Sequence, residues 1–206
     1  MPRAPRGNAP AALSVPSDPD AFFREFFPAQ YARDPKRYGT ADTPGAAVFH
    51  IDGGGSWSVR IARSRLAVER GAPADTRLTI AVSRPDFDAV FVRRTQDEVA
   101  RTGTLSELSR DAFVPLFVTP RRLAIVERAR GTLRFDLDHE GDRRALSITP
   151  GAPGASSEPR ATIRVALDDF LQLLSRKKNP KLLFVTGRLK VKGDLGFALH
   201  MSGLVS

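Results

Sequence analysis

Three histidines, His50, His139 and His200, and no cysteine make up the near-neutral and thiol chemistry of this 206-residue chain. Without cysteine there is no thiol nucleophile, no disulfide framework and no thiolate-held zinc or iron-sulfur site. The histidines stand far apart, none in an HExxH pair or next to a nucleophile-elbow serine, so His50 and His200 are expected to be structural. Asp136-Leu137-Asp138-His139-Glu140-Gly141 begins like a calcium loop, but its twelfth position is Ser147, where a bidentate glutamate is needed, so a hairpin turn is expected. Gly53-Gly54-Gly55 runs into Trp57-Ser58-Val59-Arg60-Ile61, a strand pattern, whereas a phosphate-cradling loop must open a helix. These residues predict no catalytic set, no metal site, no cofactor and a protein that is not an enzyme.

Charge is the other candidate chemistry. Lys and Arg number 32 against 23 Asp and Glu, a formal net charge of +9, which raises nucleic acid and anionic lipid as partners. Lysine stands only at 36, 177, 178, 181, 190 and 192, leaving 26 arginines, an excess that a GC-rich coding sequence produces unaided. The clustering is more informative: Lys177, Lys178, Lys181, Lys190 and Lys192 gather within sixteen residues, interleaved with Arg176 and Arg188. Three readings of the cluster stay open: a solvated face, contact with anionic headgroups, or nucleic-acid binding. The last is the least supported, because Trp57, Tyr31 and Tyr38 are the only aromatic residues besides phenylalanine and no nucleic-acid-reading motif occurs.

With 41% hydrophobic and 27% charged residues, the composition is that of a globular protein. Residues 1–17 carry Pro and Ala but no apolar stretch of signal-peptide length, and are expected to form a mobile cytoplasmic tail. The longest aliphatic or aromatic run, Leu182-Leu183-Phe184-Val185, is far below the roughly 20 residues of a membrane span. Ser17 or Asp18 can cap a helix presenting Phe22, Phe23, Phe26 and Phe27, with Pro28 expected to bend or end it. That face is expected to pack in the core, with a partner surface as the other reading.

Self-comparison organises the remainder. LTIAVSRPDFDAVF, residues 78–91, aligns without gaps on ATIRVALDDFLQLL, residues 161–174, so that Thr79, Ile80, Val82, Asp86 and Phe87 recur as Thr162, Ile163, Val165, Asp169 and Phe170. Residues 48–52 face 134–138, and Thr102-Gly103-Thr104-Leu105 faces Thr186-Gly187-Arg188-Leu189, at nearly the same spacing. Each block starts with two-residue alternation typical of half-buried strands, then a helix carrying Phe87, Val90 and Phe91 or Phe170, Leu173 and Leu174. The expected class is α+β, each module a mainly antiparallel sheet covered on one face by helices, with modules at 18–117 and 118–206.

Residues 179–199, from Asn179-Pro180 through Gly187-Arg188-Leu189-Lys190-Val191-Lys192-Gly193-Asp194-Leu195-Gly196 to Leu199, resemble the closing segment of the sterol carrier protein type 2 family. GGGSWSVRIARSRLAVERGAPADTRLTIAVSRPDFDAVF resembles the front of the same domain. Two such domains in tandem, or one with a long insertion, accommodate the match, and tandem is favoured; the first module's own ending, TGTLSELSRDAF, lacks the basic Leu-Lys-aliphatic pattern. The resemblance implies a non-catalytic carrier of a sterol, fatty acid, acyl-CoA or phospholipid in an apolar cavity. It assigns the lining to Phe170, Leu173, Leu174, Leu182, Phe184, Leu189, Val191, Leu195, Phe197, Ala198 and Leu199. Headgroup contact then falls to Lys177, Lys178, Lys181, Arg188, Lys190 and Lys192, with an anionic membrane surface as a transient partner. Ordinary core packing is the competing account of the apolar set. A protein-interaction module with a filled core, or a basic surface binder, is the competing account of the whole.

Overall fold

The computed structural model describes residues 13–154 and 158–204. Helix α1 (19–33) is capped by Asp18, whose carboxylate accepts the Ala21 N–H at 2.9 Å. Pro28 does not end it. A wide π-turn at Phe22–Phe26 ends one residue before the proline, and the helix runs on to Arg33. Loosening the ladder there accommodates a ring that would otherwise meet the carbonyl four residues back. The short helix α2 (Pro35–Tyr38) leads to strands β1 (Ala46–Asp52), β2 (Gly55–Ala62), β3 (Arg65–Arg70) and β4 (Thr76–Ser83). Ser83 caps helix α3 (84–102), which holds a second π-turn at Asp88–Arg93. Helices α4 (Glu107–Asp111) and α5 (Pro120–Arg128) connect to β5 (Leu133–His139), β6 (Asp142–Pro150) and β7 (Ala161–Ala166). Helices α6 (Leu167–Leu174) and α7 (Pro180–Val185), strand β8 (Leu189–Gly193) and helix α8 (Leu195–Ser202) follow.

All eight strands form one sheet, in the order β3-β2-β1-β4-β6-β5-β7-β8. The β1–β4 and β5–β7 pairs are parallel and the other five antiparallel. Registers repeat between the halves: Phe49 faces Ile80 as Phe135 faces Ile163, and Ile51 faces Val82 as Leu137 faces Val165. These are the pairs that the sequence offsets align. The halves meet where β4 pairs with β6, Ile80 opposite Ile148 and Val82 opposite Leu146. Side-chain and main-chain bonds reinforce this seam: Thr79 Oγ1 donates to the Gly151 carbonyl at 2.7 Å, and Asp86 Oδ2 accepts the Ala145 N–H at 3.2 Å.

The two sheet faces differ because side chains alternate along strands. Trp57, Phe49, Ile80, Ile148 and Leu133 make one continuous buried row; His50, Ala81, Ser147, Arg134, Thr162 and Lys192 make a row on the opposite, polar face. Helix α1 settles the role of its phenylalanines. Phe22, Phe23, Phe26 and Phe27 are all buried, with Phe23 stacked on Trp57 at 5.0 Å and Phe22 edge-on to Phe87 at 5.2 Å. No face of that helix is left for a partner through these rings. Of the expected tail, residues 1–12 lie outside the described residues, whereas Val15 is buried and its carbonyl accepts from the Gln96 side chain at 2.9 Å. Among the described residues no helix is long and apolar enough to cross a membrane.

A sheet continuous across the seam, with a core shared on one face, cannot lose one half without exposing the other's inner strand. Urea unfolding followed by Trp57 fluorescence, which reports the first half, and by far-ultraviolet circular dichroism is therefore expected to show one coincident transition. Two separated midpoints would contradict a shared core.

Candidate functional site

The apolar space nearest to a binding site lies over the seam. Phe49 and Ile80 on the first half of the sheet and Leu146 and Ile148 on the second form its floor. Phe91 from the π-turn of α3, Phe113 after α4, and Phe170, Leu171 and Leu174 from α6 close over it. Phe91 stands edge-on to Phe49 at 5.3 Å and stacks on Phe87 at 5.7 Å. The crevice is partly open and its volume is about 40 Å³, room for only a few waters. Three polar side chains, Arg94, Thr95 and Ser109, are among its lining. Arg94 also borders a polar cleft of about 700 Å³ lined by Arg93, Asp97, Glu98, Arg144 and Asp168.

Of the residues assigned to a cavity by the sequence, Phe170 and Leu174 line this crevice, with Leu173 buried beside them. Leu189, Phe197 and Ala198 are buried and Val191 is half-buried against the core. Leu182, Phe184, Leu195 and Leu199 instead face solvent, Leu182 and Leu199 each at 62% exposure. In α7 only Leu183 turns inward, and its neighbours in sequence are rotated away from it. In α8 the buried face is Phe197, Ala198 and Met201, not Leu195, Ala198 and Leu199. LGFALHM is apolar on every side, so spacing could not choose between faces. Phe49, Ile80, Phe91, Phe113, Arg94 and Ser109 were missed. Their signal was the first module's missing closing strand, which leaves β4 needing another partner.

The expected headgroup patch is dispersed. Lys177 Nζ donates to Glu107 at 2.8 Å, while Lys178 Nζ and Arg188 Nη2 both donate to Asp169 Oδ1, at 2.5 and 2.8 Å. Lys190 and Lys192 lie on the polar sheet face, opposite Arg164 and Thr162. Lys181 is exposed at the start of α7, beside Leu182. Much of the arginine charge is similarly matched, for example Arg60 with Asp75, Arg160 with Asp194 and Arg164 with Asp138. The Arg164 guanidinium holds the Asp138 carboxyl below its ordinary value, as the Phe197 N–H and then Arg160 do for Asp194.

Among the catalytic candidates, the Asp136–Gly141 segment is the β5–β6 hairpin, with left-handed Glu140 and Gly141 at its tip. Its Asp136 and Asp138 bind Arg134 and Arg164. No group of three His, Asp or Glu side chains suited to a metal occurs among the described residues. His200 Nε2 meets the Ile125 carbonyl at 2.9 Å, joining α8 to α5. His50 sits between Ser56 Oγ, 2.8 Å from Nδ1, and Asp52 Oδ1, 3.2 Å from Nε2. This Ser–His–Asp order follows from cross-strand pairing in one hairpin, and Asp52 is 74% exposed, so water competes for its carboxylate.

Residues 116–206 match the SCP-2 sterol transfer family. Hydroxysteroid dehydrogenase-like protein 2 of Xenopus tropicalis is 31% identical over 86 residues, covering 39% of this chain and 21% of the relative. Peroxisomal multifunctional enzyme A of Dictyostelium discoideum is 26% identical over 80 residues, again 39% of this chain but 17% of the relative. The chain thus spans about a fifth of the length of these curated relatives. The sterol carrier protein 2 structure from Yarrowia lipolytica shows 25% identity over 40% of this chain and 71% of its own, with a TM-score of 0.35, a superposition too loose to carry weight. The relatives correct one expectation. A protein that is not an enzyme does not follow from the sequence, because both curated relatives carry enzyme names, and the activities behind those names belong to proteins far longer than the matched stretch.

Asp169 ties the crevice wall to its surroundings, since this buried carboxylate on α6 collects Lys178 and Arg188 next to Phe170. D169A is expected to lower unfolding free energy by about 2–3 kcal/mol, the worth of charge-assisted hydrogen bonds lost from a buried site. A urea midpoint unchanged from wild type would show that the carboxylate does not brace the wall.

Proposed function

Because residues 116–206 form a domain of the SCP-2 sterol transfer family, we propose that this protein binds a long-chain lipid and carries it in the apolar crevice at the seam. The observation that carries the reading is the crevice itself, an almost wholly apolar space with few polar side chains in its lining. Such a site needs few specific groups. Burying a chain of about 16 methylenes at roughly 0.8 kcal/mol each contributes on the order of 13 kcal/mol gross, before association and ordering costs.

A volume of about 40 Å³ is far below the roughly 300 Å³ at which small-molecule sites begin, so binding requires the wall to move. The covering elements suit that movement. Phe91 belongs to a π-turn, a geometry that recurs at functional sites. The α4 side is fastened across to the segment after α6 by the exposed Lys177–Glu107 ion pair, a kind of contact worth at most about 1 kcal/mol. Residues 18–117 and 118–206 are read as two related units sharing one sheet, with the ligand between them and not under the last helix. Exposed Leu182, Phe184 and Val185 on α7, beside Lys181, supply a face for transient contact with an anionic membrane during uptake or release.

Native mass spectrometry after gentle purification is expected to show co-purifying lipid, and a fluorescent fatty acid is expected to bind. Ala112 lines the crevice. A112F fills it and is expected to weaken the probe by on the order of tenfold with the circular dichroism spectrum preserved. Absence of bound lipid together with absence of probe binding would overturn the reading.

A further inference from the structure

Among the described residues, the large apolar side chains left exposed all stand on the last two helices: Leu182, Phe184 and Val185 on α7, Leu195 and Leu199 on α8. Val185 is 82% exposed, and Leu183 is the one residue of α7 that is buried. Residues 176–193, which contain α7, include no Asp or Glu. Apolar side chains set in a cationic stretch complement an anionic bilayer, which asks for no matching shape.

The cations of this stretch also fasten the crevice. Lys177 Nζ donates to Glu107 on α4 at 2.8 Å, and Lys178 Nζ and Arg188 Nη2 both donate to Asp169 Oδ1 on α6. Phe113 follows α4, and Phe170, Leu171 and Leu174 belong to α6, so the cations bracketing α7 hold both covers of the crevice. Asp169 is buried and needs its two partners, whereas Lys177 and Arg188 are half-exposed and within reach of an arriving anion. The backbone marks where α7 can swing. A left-handed residue stands on either side of it, Gly187 at φ 71° and Arg176 at φ 57°, the latter a conformation that costs a residue with a side chain.

We propose that docking of α7 and α8 on an anionic bilayer is the trigger that opens the crevice. Headgroup phosphates take over Lys177, Lys178 and Arg188, and Glu107 and Asp169 become hydrated as α4 and α6 part. This rests on the reading that the crevice carries a lipid and that α7 meets membranes, and adds the coupling between the two. In solution the latch stays closed, because parting the covers exposes their phenylalanines and nothing replaces Asp169 as partner to the cations. At the bilayer, insertion of Leu182, Val185 and Leu199 offsets that exposure. A neutral bilayer offers the same apolar interior without the net charge that draws the cations away.

Hydrogen–deuterium exchange of the full chain, followed in peptides covering residues 167–175, tests the latch without requiring a ligand in the crevice. Vesicles of phosphatidylcholine with phosphatidylglycerol are expected to speed exchange by about tenfold, and vesicles of phosphatidylcholine alone to leave it as in solution. L182D/V185D, altered only at exposed positions, is expected to lose both the acceleration and co-sedimentation with anionic vesicles. D169N, which keeps the side-chain shape but removes the charge, is expected to exchange fast without vesicles. Wild type that sediments with anionic vesicles yet exchanges as in solution overturns the latch, without any variant having to fold, and leaves membrane contact standing. Acceleration retained in L182D/V185D, or slow exchange in D169N, overturns it as well. Wild type that fails to sediment overturns membrane contact and the latch together. Absence of fluorescent fatty acid binding in solution overturns lipid carriage alone.

Discussion

The pairing of β4 with β6 is the constraint on which the remaining architecture depends. Each half of the chain builds a parallel pair with an antiparallel neighbour, and each lacks one strand that would complete it: after α3 the first half passes into α4 without a strand, and after β6 the second half reaches β7 without another hairpin. Left alone, β4 and β6 would present open edges, with unpaired main-chain groups and an exposed apolar row. Joined, they place Ile80 against Ile148 and Val82 against Leu146, and the two cores become one. The crevice is a consequence of that junction, since α3 and α6, the corresponding helices of the two halves, cover it from either side.

The local units were legible in the sequence because their signals are chemical and short-range. Asp18 caps the helix expected of it, and two-residue alternation marks the stretches where β1, β2, β5 and β7 form. The internal offsets carried more than local structure, predicting which residues of the two parallel pairs occupy equivalent registers. The seam was not legible because nothing in the hydrophobic pattern of β4 says which strand lies beside it. The inward face of the final helix was not legible for the same kind of reason: a helix apolar on all sides has no preferred face until its neighbours impose one. Pro28 was misread because a local rule about proline takes no account of a π-turn that ends one residue upstream.

Charge underwent the largest revision. A basic cluster compact in sequence becomes, in three dimensions, two ion-paired groups around Asp169 and Glu107 and a separate pair of lysines on the polar sheet face.

Photo-crosslinking with a diazirine-bearing hexadecanoate, followed by peptide mapping, tests the central claim most directly. Lipid held at the seam places the label on the segments carrying Phe91, Phe113 and Phe170 to Leu174, from both halves of the chain. Label confined to Leu182–Val185, Leu195 and Leu199 would put the lipid on the exposed faces of α7 and α8 and contradict the account.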